Sequence, residues 1–168
     1  MNYYTKQTEI GNVTIVEDRG FIVSLIFGDI NYGIKTKQVQ YNKFLKERLT
    51  ETLDSAFEQL EEYLNGERKE FTLPLNPKGT QFQQKVWSAL LTIPYGETRS
   101  YKDIAVKIGD EKACRAVGMA NNKNKIPVFI PCHRVIGSNG DLSGYAGGAE
   151  LKTKLLDLEQ NVTKNINC

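Results

Sequence analysis

The sequence predicts an α/β domain followed by a mainly helical domain built around a helix-turn-helix. Three observations predict it. Two runs rich in Val, Ile and Phe, at residues 10–17 and 21–27, flank Asp18-Arg19-Gly20 as the strands of a hairpin would. Leu53, Phe57, Leu60 and Leu64 then recur at helical spacing. In the second half, Thr80 with Gln83 and Ser100 with Asp103 form two capping boxes, each opening a helix.

Taken in order, the hairpin is followed by an amphipathic helix over about residues 43–64, ending at Asn65-Gly66. Phe71-Thr72-Leu73 suggests one more strand before Pro74. Leu75 to Gly79 reads as a linker, which divides the chain into a scaffold domain at 1–79 and a second domain at 80–168. Phe82, Val86, Trp87 and Leu90 supply the apolar face of the helix that Thr80 caps. Tyr101 to about Ile108 and Glu111 to about Asn121 form two short helices across the Gly109-Asp110 turn. Such a pair reads as a helix-turn-helix. Its second helix carries Lys112 and Arg115 among Ala113, Ala116, Gly118 and Ala120. Small residues there allow the backbone to approach a groove, and equally allow tight packing on a neighbouring helix. A last helix runs from Glu150 to about Gln160, before an Asn-rich, frayed tail ending in Cys168.

Composition narrows the function classes. The 168 residues are 40% hydrophobic and 25% charged, which is ordinary for a globular protein. No stretch has signal-peptide character and no run of about 18 apolar residues occurs, so the expected location is the cytoplasm and no membrane partner is expected. Cys114, Cys132 and Cys168 are too few and too scattered for a disulfide framework or a zinc cluster. With His133 the single histidine, no metal and no cofactor are expected. Net charge is +2, but residues 1–79 hold ten basic against twelve acidic side chains, and 80–168 hold twelve against eight. The basic half is the one that phosphate contact would require.

The chemistry centres on Ile130-Pro131-Cys132-His133-Arg134-Val135. A thiol is a useful nucleophile only as thiolate, and at a free pKa of about 8.5 little is ionised at neutral pH. An imidazole nearby takes the proton and then stabilises the anion. Successive side chains diverge by roughly 100° in a helix and 180° in a strand, so a bridging water rather than a direct bond would link Cys132 to His133. Pro127-Val128-Phe129-Ile130-Pro131 reads as a short buried edge segment delivering the cysteine. Gly137, Gly140, Gly144, Gly147 and Gly148 follow, and let backbone approach a flat ligand. A zinc deaminase would need a second cysteine at position 135, which is Val135. A cysteine hydrolase using Cys132, His133 and Glu159 stays open, although the basic helix pair would then have no role.

Ile130 to Val135, followed by Gly144-Tyr145-Ala146-Gly147-Gly148, closely resembles the active site of the O6-alkylguanine-DNA alkyltransferases, the methylated-DNA–protein-cysteine methyltransferases. The resemblance runs from about Phe82 to Glu159. It implies a ribonuclease-H-like first domain, a three-stranded sheet plus helix, and a winged-helix or helix-turn-helix-like second domain. It implies a monomer that binds double-stranded DNA containing alkylated bases, from the minor groove. Cys132 would accept the alkyl group from O6-alkylguanine, with O4-alkylthymine open as a second substrate. His133 would be the water-mediated base and Glu159 would orient it. Asn124, eight residues before Cys132, would tie the active-site turn together. Tyr101 would donate to guanine N3, and Arg115 would fill the stack left by the flipped nucleotide. Tyr145 would pack against the flipped base, the Val135 carbonyl would accept from the guanine amine, and the Ala146 N–H would reach O6. Lys152 matches a lysine near the pocket, with either a phosphate or a carbonyl as its partner. Some relatives carry an N-terminal zinc site, but residues 1–79 contain neither Cys nor His. Related lesion-binding modules lack the acceptor cysteine, which is present here. A thioether on Cys132 has no hydrolytic exit, so the protein would be consumed by one transfer.

Overall fold

In a computed structural model, residues 1–39 and 43–166 are described. The chain forms two compact units, Met1–Lys78 and Gly79–Cys168.

The first unit is a sheet with one long helix against it. Strands β1 (Asn2–Thr8), β2 (Gly11–Asp18) and β3 (Phe21–Phe27) run antiparallel in sequence order. The β2–β3 turn places Arg19 at φ 52° and Gly20 at φ 85°. Positive φ at both central residues matches the twist of the flanking strands. The Glu17 carboxylate ties the turn down, accepting from the Gly20 N–H at 2.8 Å and from Asn2 Nδ2 at 2.6 Å. Both faces of β2 are buried from Val13 through Glu17, with Thr14 enclosed among Val13, Ile15 and Val16, so its run shows no clean alternation.

Several features of this unit depart from what the sequence suggests. β1 is made of half-buried polar residues and Tyr, so no apolar alternation announces it. A two-residue strand β4 (Lys46–Glu47) adds to β1 in parallel, making the order β3-β2-β1-β4. A short helix α1 (Ile30–Lys35) follows β3, capped by Asp29. Pairing of Lys46–Glu47 also delays the long helix, α2 (Glu51–Leu64), until Thr50 accepts from the Leu53 N–H at its start. Phe71–Leu73 is not a strand. Gln59 on α2 serves the Thr72 backbone and hydroxyl instead, at 2.9 and 3.1 Å, and only Leu75 bridges to Ile22.

In the second unit both capping boxes are formed, opening α3 (Gln81–Leu90) and α4 (Tyr101–Lys107). α4 continues from β5 (Arg99–Ser100), then turns at Gly109, φ 83°, into α5 (Cys114–Asn122). α5 starts three residues later than its sequence suggests, because Asp110 to Ala113 close a turn whose end offers no side-chain cap. Trp87 on α3 donates its indole N–H to the Ala120 carbonyl at 2.9 Å, locking α3 against α5. β6 (Val135–Ile136) pairs in parallel with β5. The last helix, α6 (Ala149–Ile166), extends past Gln160 where a frayed tail was expected, with Thr163 bonded back to the Glu159 carbonyl. Cys168 lies outside the described residues.

Candidate active site

The segment leading to Cys132 is a closed turn rather than an edge strand. Ile130 donates to the Ile126 carbonyl at 3.0 Å, and Val128 at the apex sits at φ 71°. A β-branched residue there is strained, and something must hold it. Asn124 does so from inside, accepting from the Ile126 N–H and donating to the Ile130 carbonyl, both at 3.0 Å. Cys132, His133 and Arg134 then form one 3-10 turn, all buried. Asn121, at the end of α5, donates to the Cys132 carbonyl at 3.3 Å. Sequence reading passed over Asn121, since it looks like one more residue of a polar loop.

His133 Nε2 lies 3.3 Å from Glu159 Oε2, and both side chains are fully enclosed. Arg134 completes this cluster and was not anticipated. Its Nε reaches both carboxylate oxygens of Glu159, at 2.8 and 3.2 Å, its Nη2 pairs with Oε1, and its Nη1 donates to the Ile93 carbonyl at 2.8 Å. A signal for the inward face existed: Lys152, Leu155 and Glu159 fall at i, i+3 and i+7 of α6, and all three are buried.

Burial dominates the protonation of these groups. It pushes the Cys132 thiol up to about 11, against smaller pulls from Asn124, Lys152 and nearby backbone N–H groups. It likewise drives His133 below its usual value, although Glu159 acts in the other direction. Burial would raise Glu159, but hydrogen bonds from His133 and Arg134 outweigh it and the carboxyl ends below the ordinary range. Cys132 and His133 are therefore both neutral at rest.

Lys152, also pulled down by burial, donates its ammonium to the Val135 carbonyl at 2.6 Å. The partner seen here is thus a carbonyl, and one lone pair of Val135 remains for another donor. Tyr101, at the start of α4, is raised first by burial and then by the Asp141 carboxylate, so its phenol keeps its proton. Tyr145 is buried at 8% exposure, while Ala146 beside it is exposed. Arg115 stands on the outer side of α5, exposed. The fold thus gathers Cys132, His133, Glu159, Asn124, Val135, Lys152 and Tyr101, and leaves Arg115 and Ala146 at the surface. Two grooves of about 490 and 520 Å³ run along α3 and α4 and include none of these residues.

Comparison with known proteins bears on both units. Residues 1–77 match the family described as "6-O-methylguanine DNA methyltransferase, ribonuclease-like domain", and residues 81–161 match its "DNA binding domain". The constitutive methylated-DNA–protein-cysteine methyltransferase of Bacillus subtilis is 51% identical over 162 residues, covering 95% of this chain and 96% of its own. Its counterpart in Methanosarcina barkeri is 45% identical over 163 residues, covering 96% and 98%. Among solved structures, the OGT protein of Mycobacterium tuberculosis in complex with DNA superposes with a TM-score of 0.85 at 41% identity, over 96% of this chain and 94% of that one. Two matched domains in the same order, and relatives covered almost end to end, leave one assignment for a buried cysteine beside a Glu-held histidine: the chain belongs to the 6-O-methylguanine DNA methyltransferase family.

Proposed function

We propose that this chain is a DNA-repair alkyltransferase that moves the alkyl group of O6-alkylguanine in double-stranded DNA onto Cys132 Sγ, once and irreversibly. The observation that carries the reading is a thiol buried and held protonated in one turn with a histidine that Glu159 and Arg134 anchor. A resting thiolate would be exposed to adventitious alkylation and oxidation; a neutral, enclosed thiol is protected until substrate arrives.

The step balances simply. His133 takes the Cys132 proton through one water, with Glu159 stabilising the imidazolium. Sulfur attacks the alkyl carbon in line, the S–C bond forms and the C–O6 bond breaks. The departing guanine anion takes a proton from Tyr101, which burial keeps protonated. The His133 imidazolium then returns a proton through water to the tyrosinate, so both residues end neutral. The Val135 carbonyl, with Lys152 on one lone pair, offers the other to the guanine amine. Tyr145 packs on the base, and the Ala146 N–H faces O6. The lesion lies inside the duplex, so the nucleotide must first be flipped out, at a cost of a few kcal/mol. Arg115, on the exposed face of α5, fills the vacated place. The protein acts as a single chain, and a chromosomal substrate favours the cytoplasm.

Mixing the protein with duplex DNA carrying one labelled O6-methylguanine tests the reading. Label is expected on Cys132 and on neither Cys114 nor Cys168, and Cys132→Ala is expected to lose transfer while still binding DNA. Label that persists in Cys132→Ala overturns the assignment.

A further inference from the structure

Met119 is the most exposed large hydrophobic side chain among the described residues, at 67%. It lies on α5 four residues after Arg115, so the two share a face. Arg115, Ala116, Met119 and Asn122 form the exposed stripe of that helix, while Val117, Ala120 and Asn121 are buried. An exposed methionine alone is unremarkable. Its surroundings are what make it informative.

The stripe borders the reacting residues. A Cβ placed on Gly118 would lie 3.8 Å from the Tyr101 ring, and one on Gly144 would lie 3.2 Å from the Asn122 amide. The turn of α5 that carries Met119 therefore stands between Tyr101 and the glycine loop of Tyr145. Its charge is of one sign. From Lys112 to Lys125 the chain holds Lys112, Arg115, Lys123 and Lys125, all exposed, and no acidic residue. Such a surface fits a polyanion. Ala116 and Gly118 on either side add no bulk, so the backbone can come close enough for one long side chain to reach inward.

We infer that Met119 is a second wedge for double-stranded DNA, pressing into the minor groove one helical turn from Arg115 and helping to hold the duplex open around the flipped nucleotide. The inference rests on the alkyltransferase reading and goes beyond it, because a cation finger and an apolar wedge act differently. Arg115 replaces a base in the stack; Met119 buries apolar surface against sugars and base edges that unstacking exposes. Proteins that bend DNA from the minor groove insert apolar side chains of this kind, methionine among them. An unbranched thioether adapts its shape to an irregular groove at little steric cost. Met119 touches no reacting atom in this account, and is a positioning residue.

Repair rates of Met119→Ala and Met119→Leu on duplex O6-methylguanine, the same strand single-stranded, and free O6-benzylguanine test the inference. Met119→Ala is expected to slow duplex repair about threefold to thirtyfold, since part of a small unstacking cost is no longer offset. Leucine, also apolar and of similar size, is expected to stay within about twofold of the parent. Single strand and free base need no opening, and both variants are expected to match the parent on them. The salt dependence of duplex binding is expected to stay unchanged, because an apolar contact releases no counterion, whereas each lost phosphate contact lowers the slope by about 0.9. Met119→Ala equal to the parent on duplex overturns the inference, as does equal slowing on free base or a reduced salt slope. If the parent itself leaves Cys132 unmethylated, the alkyltransferase reading fails; if the parent transfers and only the Met119 contrast is missing, the wedge alone fails.

Discussion

At Cys132 the pKa has a consequence for stability that can be measured without DNA. An unfolded thiol ionises at its free value of about 8.5 to 9, whereas burial holds the folded one to about 11. Through that window the unfolded chain releases a proton the folded chain keeps, so stability is fully present below about 9 and is lost as pH rises towards about 11. The urea midpoint of the parent is expected to fall more between pH 8 and 10.5 than that of Cys132→Ala; parallel falls would contradict the burial argument. His133 works at the other end. Its folded pKa lies below 6.5, so its contribution is present above that value and lost as pH falls beneath it. Arg134 carries a second prediction. It is the cation that neutralises the enclosed Glu159, and Arg134→Met would leave that carboxylate to His133 alone. A loss of about 3–5 kcal/mol by urea unfolding is expected, and a loss under about 1 kcal/mol would show that Glu159 does not depend on it. Adjacency of Cys132 and His133 made this pair the candidate site already in the sequence. Nothing local marked Arg134, whose partner lies 25 residues away on another helix.

At the level of elements, two helix starts were legible because a capping box is a local bond pattern that two residues three positions apart can specify. Thr80 and Ser100 both form theirs. β1 and β4 were not, since a half-buried polar strand and an exposed two-residue one owe their existence to a neighbouring strand rather than to their own pattern. Under the proposed function Arg115 on α5 serves base flipping and His133, on the turn after Pro131, serves the nucleophile, and two mutants separate the parts. Arg115→Ala is expected to slow repair of duplex DNA by about tenfold to a hundredfold, since roughly 1–3 kcal/mol of flipping cost is no longer offset. Free O6-benzylguanine needs no flipping and is expected to react at nearly the parental rate with that variant. His133→Ala weakens the nucleophile itself, and both substrates are expected to slow alike. Equal slowing of both substrates by Arg115→Ala would place Arg115 in the pocket or in folding, not in the DNA stack.

Across the whole molecule the chemistry sets a stoichiometry. A thioether offers water no leaving group comparable to that of an acyl adduct, so methyl transferred is expected to plateau near one per chain however much damaged DNA is supplied. Sustained turnover without an added thiol would rule that out. The sequence by itself determined the division into an α/β half and a helical half, the two capped helices, the Cys132–His133 pair and, through Ile130 to Val135 and the glycine loop, the family. These are signals carried by residues close together in the chain. The resemblance pointed to Glu159 as the partner of His133, but tertiary structure alone decided that Arg134 shares that carboxylate. It alone decided that Lys152 bonds the Val135 carbonyl, and that residues 127–131, which read as a short edge segment, form the turn that Asn124 braces, with Val128 at φ 71°. The physical reason is common to all of these. Burial and partner choice for a charged side chain are set by what packs over it, and those groups come from segments that the sequence keeps far apart.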